Sequence, residues 1–115
     1  MSVKHLNAKK LALGEAQIQA IAELFGVLSE PTRLRILQTL QQGPATVGQI
    51  MDAADIKQAN ASKQLSILHQ AGVLAREKEG NQVRYSIRMP LIFDLCDLVC
   101  SSLRDEAEAR AKLLR

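Results

Sequence analysis

Two groups of side chains in this chain have types and spacings that could do chemistry. Gln58, Asn60, Ser62, Lys63 and Gln64 gather amides, a hydroxyl and an ammonium within about two helical turns. Amides can pair with the edges of adenine bases, while hydroxyl and ammonium groups hold phosphate. Further on, Arg76, Lys78, Gln82 and Arg84 recur at even spacing, which predicts that they point to one side of a strand pair. The second group is Cys96 and Cys100, one helical turn apart. Thiolates suit soft metal ions.

Each group also has a plainer reading. Polar residues on a helix are commonly just solvated, and charges on a hairpin protect exposed strand edges from aggregation, a use that Glu77 and Glu79 would fit. Free cysteines also pack as small hydrophobes. Both the sensing and the packing readings of Cys96 and Cys100 stand at this level.

Charge is unevenly spread. Residues 57–88 carry Lys57, Lys63, Arg76, Lys78, Arg84 and Arg88 against only Glu77 and Glu79, whereas the whole chain is +3, so the remainder is slightly acidic. A basic block beside a near-neutral remainder is the electrostatic footprint of a nucleic-acid binder, because its cations replace counterions condensed on phosphates. With 47% apolar and 23% charged residues the composition is globular, not disordered, and no apolar run reaches the roughly 20 residues of a membrane span. Lys4, Lys9 and Lys10 are not followed by the apolar stretch of a secretory signal, so a soluble, cytoplasmic protein is expected. In that compartment the two cysteines remain thiols.

The elements that must position these groups follow from periodicity. Ile18, Ile21, Ala22, Phe25 and Leu28 mark one face of a first helix over 15–28, and residues 1–14 are expected to be a flexible tail. Ser29-Glu30-Pro31 restarts the chain into a second helix with Leu34, Leu37 and Leu40 on its stripe, which Gly43-Pro44 ends. Thr46 and Gln49 match a capping box that opens a third helix running to about Ala54. A fourth helix spans Gln58 to Gln70, with Leu65 and Leu68 inward and Gly72 as terminator. Val73–Lys78 and Gln82–Arg88 read as a two-stranded hairpin about Glu79-Gly80-Asn81, and no further strand is expected.

Pro90 opens the last helix, whose apolar arc includes Leu91, Leu95, Leu98, Val99, Cys96 and Cys100. The arc exceeds half the helix circumference, which is more than one domain flank needs. The excess predicts a seam with a second copy, built from Ile18, Ile21 and Phe25 of the first helix together with Leu91, Leu95, Leu98 and Val99 of the last. The fold class expected is mainly α: a winged helix-turn-helix of five helices plus a two-stranded wing, forming one domain over residues 15–115. In that arrangement the second helix of the pair, Gln58–Gln70, enters the major groove.

Three segments, LSEPTRLRIL (Leu28–Leu37), ASKQLSILHQAGVL (Ala61–Leu74) and EGNQVRYSI (Glu79–Ile87), resemble the ArsR/SmtB family of bacterial repressors, with likeness over about residues 15–103. The resemblance implies a homodimer joined through its first and last helices. It also implies binding to double-stranded DNA at an inverted-repeat operator, and release when a ligand or an oxidation event lowers DNA affinity. The cysteine box that binds arsenic or cadmium in the family is replaced by Val47-Gly48-Gln49-Ile50, and the zinc-ligand positions correspond to Met89, Leu91, Ser102 and Asp105. Redox-sensing members pair a cysteine of helix two with one of the last helix, and helix two here offers Gln38. The inducer is therefore not copied from these relatives, and no cofactor follows. Cys96 and Cys100 are the remaining candidates for a soft metal ion or a thiol-modifying species.

An enzyme is disfavoured because the chain has no nucleophile elbow, phosphate loop, metalloprotease motif or paired carboxylates. The alternative to a DNA-binding regulator is a winged-helix module that binds protein, since fold does not fix function.

Overall fold

The computed structural model describes residues 13–114, so the expected tail lies outside the described residues apart from Leu13 and Gly14. Five helices and three short strands follow one another: α1 (Glu15–Leu28), α2 (Pro31–Leu40), β1 (Ala45–Thr46), α3 (Val47–Ala54), α4 (Gln58–Gln70), β2 (Leu74–Glu79), β3 (Gln82–Ile87) and α5 (Leu91–Leu113). This is the expected winged helix-turn-helix order. It carries one addition, because Ala45 and Thr46 pair antiparallel with Tyr85 and Arg84 and make the wing a three-stranded sheet in the order β1-β3-β2.

Local chemistry explains the helix limits. Glu30 caps α2, its carboxylate accepting from the backbone N–H groups of Thr32 at 3.0 Å and Arg33 at 3.3 Å, while Pro31 occupies the first turn where no donor is needed. These backbone bonds hold the Glu30 carboxyl below its ordinary pKa, the bond from Thr32 contributing most. At α3 the capping box is closed as expected: Thr46 Oγ1 accepts from Gln49 N–H and Gln49 Oε1 accepts from Thr46 N–H. Asp55 ends α3 in the left-handed region at φ 54°, which a non-glycine residue rarely adopts. Gly72, at φ 80°, lets the chain turn from α4 into β2, and Gly80, at φ 62°, makes the two-residue turn of the hairpin.

The core lies where α2, α3 and α4 meet the sheet. Ile36, Leu37, Leu40, Ile50, Leu65 and Leu68 are fully or nearly fully buried, with Val73, Leu74 and Tyr85 contributed by the wing and Ile92 by α5. Fully burying each large side chain contributes about 1.5–3 kcal/mol, so these residues anchor the helix pair to the wing. The outer helices differ from this core. No residue of α1 is buried, and α5 buries only Ile92 over 23 residues. Among the described residues no helix is long and apolar enough to cross a membrane.

Candidate nucleic-acid interface

Helix α4 turns Ala61, Gln64, Leu65 and Leu68 inward. Gln58, Asn60, Ser62 and Lys63 are exposed, as expected, and Ser66, one turn beyond Ser62, is exposed with them. Gln64 is not exposed: at 7% it is the only buried polar residue among the described ones. A buried amide needs partners, and Gln64 finds them at both ends. Its Oε1 accepts from Arg33 Nη1 at 3.1 Å, and its Nε2 donates to Asn60 Oδ1 at 3.0 Å. Gln64 is therefore a structural link behind the exposed face, and its amide is spent inside the protein.

Arg33 is the residue that sequence patterns missed. Its Nε–H also donates to the Val27 carbonyl at 2.7 Å, so one guanidinium ties the end of α1, the start of α2 and the middle of α4. The only signal for it was its place after the Glu30-Pro31 cap, within the LSEPTRLRIL segment.

The wing does not place its four polar residues on one side. Residues opposite each other in an antiparallel pair project to the same face. Arg76 stands opposite Tyr85 and Lys78 opposite Val83, whereas Arg84 stands opposite Glu77 and Gln82 opposite Glu79. Arg76 and Lys78 thus share one face, and Gln82 and Arg84 share the other with both glutamates. The turn of two residues sets this parity: an even-numbered position on β2 meets an odd-numbered one on β3, so even spacing along the chain does not carry across the hairpin. Arg84 Nε is moreover paired with Glu79 Oε1 at 3.5 Å. The uncompensated cations of the wing are Arg76 and Lys78, both exposed.

The thiols occupy a third place. Cys96 is half-buried against the core and Cys100 is exposed, its Sγ accepting from Arg104 Nη2 at 3.5 Å. Both line a groove of about 630 Å³ between α1 and α5, with Phe25, Leu34, Val99 and Leu103. Burial pushes the Cys96 thiol pKa up, the Gln41 side chain offsets part of that rise, and Asp97 and Cys100 add to it. The polar neighbour of Cys96 from the second helix region is thus Gln41, just past α2, and Gln38 is exposed. Among the described residues there is no cluster of three or more histidine, cysteine or acidic side chains able to hold a metal ion.

Of the seven residues expected at a seam between copies, six are exposed on the outer helices. Ile18, Ile21, Phe25, Leu91, Leu98 and Val99 are exposed, Leu98 by 70% and Phe25 by 56%, while Leu95 is half-buried.

Residues 28–77 match the family model of a helix-turn-helix domain. The HTH-type transcriptional regulator Rv0081 of Mycobacterium tuberculosis is 39% identical over 75 residues, covering 64% of this chain and 66% of that protein. The probable mercury resistance operon repressor of Streptomyces lividans is 34% identical over 88 residues, covering 76% of this chain and 70% of that protein. Among solved structures, the crystal structure of Rv0081 superposes with a TM-score of 0.77 at 32% identity, over 85% of this chain and 99% of that one. The homodimeric winged helix-turn-helix DNA-binding domain of Mb0332 from Mycobacterium bovis superposes with a TM-score of 0.75 at 26% identity, over 91% of this chain and 94% of that one.

Proposed function

The chain belongs to the ArsR/SmtB-type winged helix-turn-helix transcriptional repressors, a family of regulators and not of enzymes, and from that premise we propose that it acts as a homodimeric, sequence-specific DNA-binding repressor. The exposed edge of α4, with Gln58, Asn60, Ser62 and Lys63, enters the major groove. Arg76 and Lys78 at the wing hold the neighbouring backbone. Two copies related by a twofold axis read the halves of an inverted repeat.

The observation that carries this reading is the division of the molecule. A packed helix pair and wing present polar and cationic groups outward, while α1 and α5 leave large apolar side chains uncovered, among them Ile18, Ile21, Phe25, Leu98, Val99 and Leu103. Large contiguous apolar patches on a soluble protein mark interaction sites. A second copy is the occupant proposed, in keeping with the homodimeric relative Mb0332.

Release is assigned to the α1–α5 groove, where Cys96 and Cys100 would take a soft metal ion or be modified by a thiol oxidant. Their place beside the seam supports this, because a change there would shift one copy against the other. The similarity to the probable mercury resistance operon repressor of Streptomyces lividans makes mercury(II) the soft metal ion to try first.

The test is a titration of the purified protein against its own upstream region and against unrelated DNA at several salt concentrations, with the oligomeric state followed by sedimentation. A dimer that prefers a twofold site and shows a steep salt slope supports the reading. Equal, weak binding to both DNAs would favour the protein-binding module. A Cys96→Ser, Cys100→Ser double variant should bind the operator normally and ignore mercury(II) or a thiol oxidant; normal release from the double variant would end the role given to the thiols.

A further inference from the structure

The hydrogen-bond chain from Arg33 through Gln64 to Asn60 has a direction that chemistry alone fixes. Amide oxygen and nitrogen are interchangeable by a flip unless their partners decide between them. Here they do. A guanidinium has only donors, so the Gln64 atom at 3.1 Å from Arg33 Nη1 must be the carbonyl oxygen. The other end of that amide is then the Nε2 donor, and the Asn60 atom 3.0 Å from it must be an acceptor, Oδ1. Asn60 is exposed and begins the open face of α4. Its oxygen is turned back into the helix, and its Nδ2 with two N–H groups is left to face outward.

We propose that Arg33, acting through Gln64, locks Asn60 as an outward hydrogen-bond donor and so makes it a selector for keto bases. The proposal rests on the reading that α4 lies in the major groove. There, guanine offers two adjacent acceptors, N7 and O6, and thymine offers O4, whereas adenine sets an amino donor beside its one acceptor, N7, and cytosine presents only a donor. The two-point pairing of an asparagine with adenine needs both ends of the amide facing the base, and the bond to Gln64 disfavours that mode by turning Oδ1 away from the groove, although the oxygen keeps a second lone pair. Asn60 therefore favours guanine or thymine at the position it meets. Arg33 and Gln64 are positioning residues that touch no DNA themselves.

The isosteric variant Gln64→Glu tests the direction of the chain. A carboxylate has no donor, so the introduced group would pair one oxygen with Arg33 and turn the other to Asn60, which must then flip to donate Nδ2–H and present Oδ1 outward. Binding selections from a randomised duplex pool with wild type, Gln64→Glu and Asn60→Ala read the result. The wild type should favour guanine or thymine at one position of each half-site by about tenfold. Gln64→Glu should switch that position to adenine or cytosine and leave the others unchanged, and Asn60→Ala should remove the preference. If Gln64→Glu keeps the wild-type base while Asn60→Ala loses it, Asn60 reads DNA but its direction is not set by Gln64, and the proposal falls alone. If Asn60→Ala changes nothing, the proposal falls together with the use of this edge of α4. A second measurement needs no DNA. In the free protein the Gln64 side-chain N–H groups should exchange with water more slowly than those of Asn60, and in Gln64→Glu the Asn60 amide should become the protected one. Protection of the Asn60 amide in the wild type would overturn the assignment.

Discussion

Arg33 and Val27 close the corner between α1 and α2, the guanidinium Nε–H donating to the carbonyl at 2.7 Å. The same side chain satisfies the buried Gln64. One residue thereby joins the exposed outer helix to the helix that carries the polar face, with no ion pair involved. Hydrogen bonds to charged groups contribute about 1.5–3 kcal/mol, and a buried acceptor stranded without its donor adds to the loss. Arg33→Ala should therefore lower stability by about 2–3 kcal/mol in urea unfolding. A loss below about 0.5 kcal/mol would mean that water replaces the guanidinium freely.

Glu30 gives the fold an acid-sensitive helix start. Its pKa is lowered in the folded protein by the N–H groups it accepts, so its stabilising effect is complete above the unfolded carboxyl pKa and fades as pH falls through the folded value. Glu30→Ala should be less stable than wild type at neutral pH, with the gap narrowing in acid. A gap that stays constant from neutral to strongly acidic pH would contradict the capping role.

On the wing, Glu79 pairs with Arg84 on the face opposite Arg76 and Lys78, and so withholds its charge from any phosphate that approaches that side. Both side chains are partly exposed, so the pair itself stabilises the fold by no more than about 1 kcal/mol. Glu79→Gln should leave the unfolding midpoint nearly unchanged, yet tighten DNA binding at low salt and steepen the salt dependence as Arg84 becomes free. Arg76→Ala or Lys78→Ala should act in the opposite sense, weakening binding to all sequences. An unaltered salt slope in Glu79→Gln would place Arg84 away from the phosphates.

Lys63 has no acidic partner within the described residues and stands exposed on α4. Lys63→Ala should weaken binding to operator and unrelated DNA about equally and reduce the salt slope by about one. Loss of affinity for the operator alone would make it a base reader instead.

The thiol of Cys96 should react sluggishly. Burial raises its pKa, so its alkylation profile should lie at higher pH than that of a free thiol. The unfolded chain ionises this thiol first, so the linked stability is present at neutral pH and is lost as pH rises through the folded value. An alkylation profile centred at the ordinary thiol value would show the groove wall to be open.

Much of this architecture is readable from periodicity and end signals. The limits of α1, α3 and α4, the Thr46–Gln49 box and the hairpin turn all depend on residues within four positions of each other, and local patterns report local physics. What stayed hidden depends on long-range pairing. β1 has two residues, too few to alternate, and exists because β3 passes beside it. The division of Arg76 and Lys78 from Gln82 and Arg84 follows from strand register, which the spacing within one strand does not contain. Gln64 looked like one more polar residue on an open helix. Its burial is possible only because a donor 31 positions earlier in the chain reaches it.

Thr46 belongs at once to a strand and to a helix cap: it pairs with Arg84 of the wing while its hydroxyl receives the Gln49 amide. The hinge about which a wing could swing independently is therefore riveted. Hairpin and helix pair are tied together at this residue, so in the proposed dimer release from DNA is expected to come from turning each whole block against its twin, with the angle between wing and helix pair kept as folding set it.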